Sequence, residues 1–475
     1  MIKSIQIGGV AISPRQSAGH CTAVFKSSVF VVALCGLAIS VAYAAPAEEK
    51  KELFIPPKVW MVPDGNDYNN PDSEFSNSRK IESDDIGLFW SKEYGADPAA
   101  NPEQNKRFDI NLALKECDRF YDYYVNKLKF VDKGNSVTDK YKALIYVFGG
   151  KEGTAFGGGE GKVGILWTPA TRINKAPYGA LAHELGHSFQ SLVHANGAWG
   201  FTSSPRGSKG QPIFEMTSQY MLWQVYPEWM TFENYHLVSF MKKTHFAFLH
   251  ETNQYHSPYV LEYWSNKHGI DFVGKLWRNA QKGEDAVMAY KRLTGIDQKA
   301  FNDEIFDASR RFITWDMARI EKVASKYANQ HTSTLNPLAD GWYRIAESNC
   351  PQNYGYNGIK LKVPAAGTEV TLNFKGIAGT EGFRSINTDK AGWRYGFLAS
   401  KEDGSRVYGQ MYSDKEGTAK FVVPEKTAYL WLVVSGAPTE HWEHITDGKD
   451  ENDEQWPYQI KLSGTSLDDS VIQTP

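Results

Sequence analysis

The run His183-Glu184-Leu185-Gly186-His187 constrains this chain more than any other feature. Imidazoles four positions apart share one face of a helix and can reach a single ion. Leu181, Leu185, Phe189 and Leu192 supply an apolar stripe around them, so the sequence predicts a packed helix over 177–195. Zinc suits imidazole ligands, and a site with three protein ligands keeps a fourth position for water. Glu184 adjoins His183, where it cannot easily bind the same ion, but it can take a proton from that water as it attacks a carbonyl.

A third ligand is needed. One known arrangement would place a histidine ten residues after His183, but Val193 stands there, Gln190 replaces the usual glycine, and His194 is one residue out of phase. Glu215 is the better candidate. It lies 28 residues after His187 in Ile213-Phe214-Glu215-Met216, on the next predicted helix, 212–225. Gln219, one turn later, is placed to orient a ligand from behind. His194, His236 and Glu233 stand as rivals to Glu215. A developing oxyanion also needs a donor, and Tyr255 and His256 are the candidates, in a polar stretch just before a helix, where each also reads as a packing or capping residue.

The 475 residues exceed one ordinary core, so more than one domain is expected. An apolar run from Val29 to Val41 follows Lys3, Arg15 and Lys26 and closes on Ala42-Tyr43-Ala44. It is shorter than the roughly 20 residues of a membrane span, so residues 1–44 read as a cleavable signal peptide, implying a secreted or periplasmic chain with no stable membrane anchor. Residues 45–80, rich in Pro, Asn, Asp and Ser, read as a loosely packed tail; 81–335 as the catalytic domain; 336–475 as a β-sandwich. A helix is expected over 108–128, strands at 143–148 and 163–167, and helices at 231–250, 257–268, 270–281, 284–294 and 297–324. The strand at 163–167 could pair with an extended substrate backbone. Gly157-Gly158-Gly159-Glu160-Gly161 precedes a strand rather than a helix, which excludes a phosphate cradle and predicts a hairpin loop.

Later signals are weaker. Cys117 and Cys350, 233 positions apart, could bridge two domains or remain two buried thiols. His441 to Glu454 reads as a solvated acidic loop without the oxygen spacing of a calcium loop. Trp342, Trp393 and Trp442 could offer stacking faces to sugars, although aromatics among strands are more often core. A net charge of -3 gives no support to nucleic-acid binding.

The stretch His183–Gln190, Phe214-Glu215-Met216, 259–269, Pro351-Gln352-Asn353-Tyr354-Gly355-Tyr356-Asn357 and Trp456-Pro457-Tyr458-Gln459 together resemble a group of secreted zincin-like proteins of bacteria and fungi with a C-terminal β-sandwich. The resemblance covers most of residues 80–465 and implies a gluzincin-type peptidase, without supplying a substrate. The expected fold is therefore α+β: a mainly helical zincin-like domain with a small sheet, then an all-β sandwich. The expected function is a zinc-dependent hydrolase with His183, His187 and Glu215 as ligands and Glu184 as base, acting on a peptide, protein or glycoprotein. The alternative is a secreted glycan-binding or adhesion protein on a catalytically silent scaffold of this kind.

Overall fold

The computed structural model describes residues 50–201 and 212–473, so the expected signal peptide lies outside the described residues. Five strands, β1 (Lys80–Glu82), β2 (Ile86–Trp90), β3 (Ala143–Phe148), β4 (Phe156–Glu160) and β5 (Val163–Pro169), form one sheet in the order β1-β2-β3-β5-β4. β2, β3 and β5 run parallel, and β1 and β4 are antiparallel edges. Alternate residues of the central strands face opposite layers. Ile145, Val147 and Leu166 meet the helices, whereas Leu144, Tyr146, Phe148 and Ile165 meet Val59 and Phe75. Burial on both faces is why these strands read as unbroken apolar runs. The 45–80 segment, read from composition as loosely packed, instead covers the sheet with Leu53, Phe54, Val59, Met61, Tyr68 and Phe75.

Two further expectations are corrected here. The glycine run is not a hairpin loop: Gly157, Gly158 and Gly159 lie in β4, and the turn falls at Gly161 and Lys162. The strand at 163–167 is interior, hydrogen-bonded to β3 and β4, so the edge left for pairing on that side is β4.

The helices are α1 (Ile110–Asn126), α2 (Gly179–Ala195), α3 (Pro212–Val225), α4 (Trp229–Phe232), α5 (Asn234–Met241), α6 (Tyr259–His268), α7 (Phe272–Asn279), α8 (Ala286–Thr294), α9 (Gln298–Thr314) and the single turn α10 (Glu321–Ala324). The expected helix at 231–250 is broken at Glu233 (φ -115, ψ 42) and ends at Met241. The one at 297–324 stops where Trp315 turns left-handed (φ 54) and its indole N–H donates to the Tyr327 carbonyl, 3.1 Å away. α2 is held from several sides. The Tyr124 hydroxyl of α1 donates to the Ala182 carbonyl at 2.8 Å, and the Ser188 hydroxyl donates to Ile165 of β5 at 2.9 Å.

The remaining strands, β6 (Thr334–Pro337), β7 (Trp342–Ile345), β8 (Tyr356–Leu361), β9 (Glu369–Gly376), β10 (Trp393–Lys401), β11 (Arg406–Tyr408), β12 (Glu416–Val422), β13 (Thr427–Gly436), β14 (Tyr458–Ser463) and β15 (Ile472–Gln473), make two sheets. One is β11-β10-β13-β8 and the other β12-β9-β14-β7-β6-β15. Between them lie Ile359, Phe397 and Leu432 from the first sheet and Leu372, Phe374 and Ile460 from the second. The opposite face of the four-stranded sheet, Tyr356, Leu398, Trp431 and Val433, joins the core of the helices beside Phe306 and Ile313 of α9. Helices, sheet and sheet are thus stacked layers that share side chains. Main-chain bonds continue the join, from the Gln352 N–H to His245 (2.9 Å) and from the Tyr356 N–H to Thr244 (2.7 Å).

The loop at 441–454, expected to be solvated, is partly buried in this join. His441 pairs with Asp285 at 2.7 Å, His444 with Glu251 at 3.0 Å, and His250 with Asp453 at 2.9 Å. Hydrogen bonds between imidazoles and carboxylates brought from two layers replace the water that the sequence alone suggested. Trp393 is 1% exposed and cannot stack on a sugar. Trp342 and Trp442 are each faced by a lysine, Lys375 and Lys390. Cys117 and Cys350 are free, buried, and lie in different apolar clusters. No helix of the described residues is long and apolar enough to cross a membrane.

Candidate metal centre

The centre is built on α2 and α3. Gly186 lets the two helices meet closely: a Cβ there would lie 3.0 Å from the Ser218 hydroxyl and 3.3 Å from its Cα. That approach brings Glu215, one turn before Ser218, over His183 and His187. The result is a triangle. His183 Nε2 lies 3.1 Å and His187 Nε2 lies 3.1 Å from Glu215 Oε2, and the two nitrogens are 3.2 Å apart. The three side chains are 12%, 15% and 23% exposed, so the triangle is reachable yet largely shielded.

The protons around this triangle can be assigned from its neighbours. The Gln190 amide N–H donates to the Phe214 carbonyl (2.9 Å) and Ser218 Oγ (3.1 Å), which turns Oε1 toward His187 Nδ1 at 3.0 Å. The Gln219 amide N–H likewise donates to the Tyr255 carbonyl (3.1 Å), turning Oε1 toward His183 Nδ1 at 3.2 Å. A backbone carbonyl only accepts, so neither amide can be reversed without opposing two oxygens. Each histidine therefore carries its proton on Nδ1, and each Nε2 lone pair points inward at a carboxylate oxygen. Three acceptors at 3.1–3.2 Å need a positive charge among them. One imidazolium proton would serve only one of the two nitrogen–carboxylate contacts, and protonating both would set two like charges at that spacing, which repel by on the order of 5 kcal/mol at an effective dielectric of about 20. A cation satisfies all three at once, and His183, His187 and Glu215 fit a divalent metal that prefers imidazole and carboxylate donors.

The surrounding groups are tuned by the same contacts. Burial pushes the Glu215 carboxyl up, but hydrogen bonds that the His183 and His187 rings donate in their protonated form outweigh it and hold it far below the usual range. Glu184 moves the other way: burial raises its carboxyl, and nearby Glu215 adds to the rise. The Gly157 N–H of β4 hydrogen-bonds to it. This contact requires glycine, because a Cβ at position 157 would fall 1.9 Å from the Glu184 carbonyl oxygen.

Of the other expected residues, Tyr255 reaches the centre and His256 does not. The Tyr255 ring lies parallel to that of His183, with centroids 6.3 Å apart, and it is 40% exposed. Its hydroxyl bonds to Glu215, and burial, then Glu215, raise its pKa. His256 is placed one layer back and is joined to His236 (Nδ1 to Nδ1, 2.7 Å), so it is not positioned as an oxyanion donor. Among the rivals, His194 is exposed near the end of α2, and Glu233 accepts from the Trp229 indole at 2.7 Å. His236 meets Gln219 instead of the triangle, at 3.0 Å. Sequence reasoning missed Gln190, Gly157 and the placement of His236. Gln190 lies three residues after His187, close to one helical turn, and that spacing was the available signal.

A family model described as "Family of unknown function (DUF6055)" matches residues 45–469. No curated protein matches the chain. Among solved structures it is similar to the M60 catalytic domain with the CBM51-1 and CBM51-2 domains from Clostridium perfringens ZmpB, at 8% identity and a TM-score of 0.30. That match covers 84% of this chain and 60% of the other, so this chain spans less than two thirds of its length.

Proposed function

The chain belongs to the DUF6055 family, whose description names no activity, and from its centre we propose that it is an exported zinc-dependent hydrolase, specifically a peptidase. The observation that carries this reading is the inward-facing triangle of His183, His187 and Glu215, whose two Nε2 atoms and Oε2 converge within 3.1–3.2 Å of one another. A zinc ion held there would polarise a carbonyl and acidify a water molecule.

The chain's own groups supply the rest. Glu184, one residue from His183 and oriented by the Gly157 N–H, accepts the proton of the attacking water and returns it to the departing amine. Its raised pKa suits a group that must first take and then give a proton. The Tyr255 hydroxyl, beside Glu215, donates to the oxygen on which negative charge develops. Main-chain groups of the β4 edge can pair with an extended substrate. Whether that substrate is a peptide, a protein or a glycoprotein is decided by assay.

Purified mature protein should carry close to one zinc per chain. Glu184→Gln should retain the metal while turnover falls by about 10²–10⁴-fold. Native protein that binds no zinc would overturn the proposal, and zinc-loaded protein that binds glycoprotein without cleaving it would favour an adhesion role.

A further inference from the structure

Behind His183 a chain of hydrogen bonds runs away from the centre. Gln219 Nε2 donates to the Tyr255 carbonyl at 3.1 Å and to His236 Nε2 at 3.0 Å. Since His236 Nε2 accepts, its proton must sit on Nδ1, from which it donates to His256 Nδ1 at 2.7 Å. His256 then carries its own proton on Nε2. The polarity is fixed along the whole line by one atom that can only accept, the Tyr255 carbonyl. His236 is 6% exposed, its ring is stacked on Trp229 with centroids 5.5 Å apart, and Glu233 Oε2 lies 3.6 Å from its Nε2. Its ring cannot turn freely, and no water competes easily for its nitrogens.

We propose that His236 is a positioning residue: it clamps the Gln219 amide so that His183 keeps its proton on Nδ1 and offers Nε2 to a metal. This deepens the zinc reading and rests on it. The same amide holds the backbone of Tyr255, so one clamp sets both the tautomer of a ligand and the placement of the residue assigned to the oxyanion. Without the His236 acceptor, Gln219 keeps a single anchor. The Tyr255 carbonyl still forbids reversal, but the amide can swing about that one contact and withdraw Oε1 from His183, whose proton then divides between Nδ1 and Nε2. A group behind a metal ligand typically changes metal affinity by about 10–100-fold when removed.

A comparable buried cluster, His250, His444 and Asp453, shows the contrast. There His250 Nδ1 accepts the Thr252 N–H at 3.0 Å, so Nε2 carries the proton and donates it to Asp453. That cluster is a closed hydrogen-bonded pair, whereas at His183 the polarity is reversed and the lone pair is left open.

The test compares native protein with His236→Phe and His236→Gln. Phe keeps the ring and its stacking but removes the acceptor; Gln reaches about as far as an imidazole Nε2 and restores a carbonyl oxygen. Ring ¹⁵N shifts of histidine-labelled, metal-free protein read the His183 tautomer directly, and zinc affinity is measured by competition with a chelator. Native protein and His236→Gln should show Nδ1–H at His183, and His236→Phe should show a mixture with zinc bound about 10–100-fold more weakly. Should His236→Phe fail to fold, His256→Leu at the half-exposed end is the second variant, since the freed His236 can shift its proton to Nε2 and disturb the same resonance. An unchanged tautomer and unchanged zinc affinity would overturn the proposal. Native protein that takes up no zinc would instead end the hydrolase reading, while the ¹⁵N measurement still decides the role of His236.

Discussion

Tyr255 contributes to the centre through two separate groups. Its carbonyl fixes the Gln219 amide, and its hydroxyl lies beside Glu215. The two can be separated, because Tyr255→Phe deletes only the hydroxyl. Zinc affinity should then stay within about threefold of native, while kcat falls by about 10²–10³-fold with KM little changed, as expected for a donor used only in the transition state. Metal titration alongside steady-state kinetics checks this, and a large loss of zinc would contradict the division of roles. At this scale the sequence spoke clearly where spacing along one helix determines geometry, as for His183, Glu184 and His187. Glu215 could be reached because it opens the next helix. Gln190, His236 and Gly157 could not, since their roles are set by partners 24, 17 and about 27 positions away that only the fold brings near.

Among the elements, β4 shows how tertiary contact overrides local preference. Glycines are poor strand formers, and three in a row read as a loop, yet here they let a strand lie directly on α2. Gly157→Val would place side-chain carbon where the Glu184 carbonyl already stands, 1.9 Å from an ideal Cβ. Because the obstacle is backbone, the strand or helix must shift, at a cost of about 1–3 kcal/mol or more. Urea unfolding should show this loss together with reduced turnover, and native stability in this variant would contradict the close approach. α3 is legible to its ends in the sequence, and β3 from its unbroken apolar run, because packing there agrees with local preference. α4, α5 and the end of α9 were not, because Glu233 and Trp315 leave helical geometry to satisfy contacts elsewhere.

For the whole molecule the decisive fact is that the four-stranded sheet has apolar side chains on both faces, toward α9 and toward the other sheet. A chain ending at residue 335 would strip Tyr354, Tyr356, Leu398, Trp431 and Val433 from the core of the helices. It should therefore fail to give a cooperative thermal transition, although its centre would be complete in sequence. The join between layers also titrates. Burial drives His331 down to about 3, and burial, then His250 and Lys243, drive His245 down to about 4. Unfolded histidine titrates near 6.5, so below that pH the unfolded chain takes up protons that the folded one refuses. Stability should fall from about pH 6.5 toward pH 3–4 and then level off for these groups. His444 acts in the opposite sense: burial lowers it, but Glu251 and Asp453 raise it overall, so its contribution is present below 6.5 and lost as pH rises. Glu251, held at about 2 against its burial by His444, adds stability above 4.5 that disappears only near its folded value. His331 faces the Tyr356 hydroxyl at 2.8 Å and the rings of Trp315 and Trp431. His331→Phe should thus flatten the acid limb of the stability curve measured by denaturant unfolding between pH 6.5 and 4, and an unchanged slope would show that His331 is not held neutral. A sheet with two cores also bears on inheritance. A β portion cut out here would expose Leu398 and Trp431 and leave α9 bare, so it is a poor unit for exchange. Any recombinant that accepts a foreign β portion must first rebuild the α9 face, and the two portions are therefore constrained to change together.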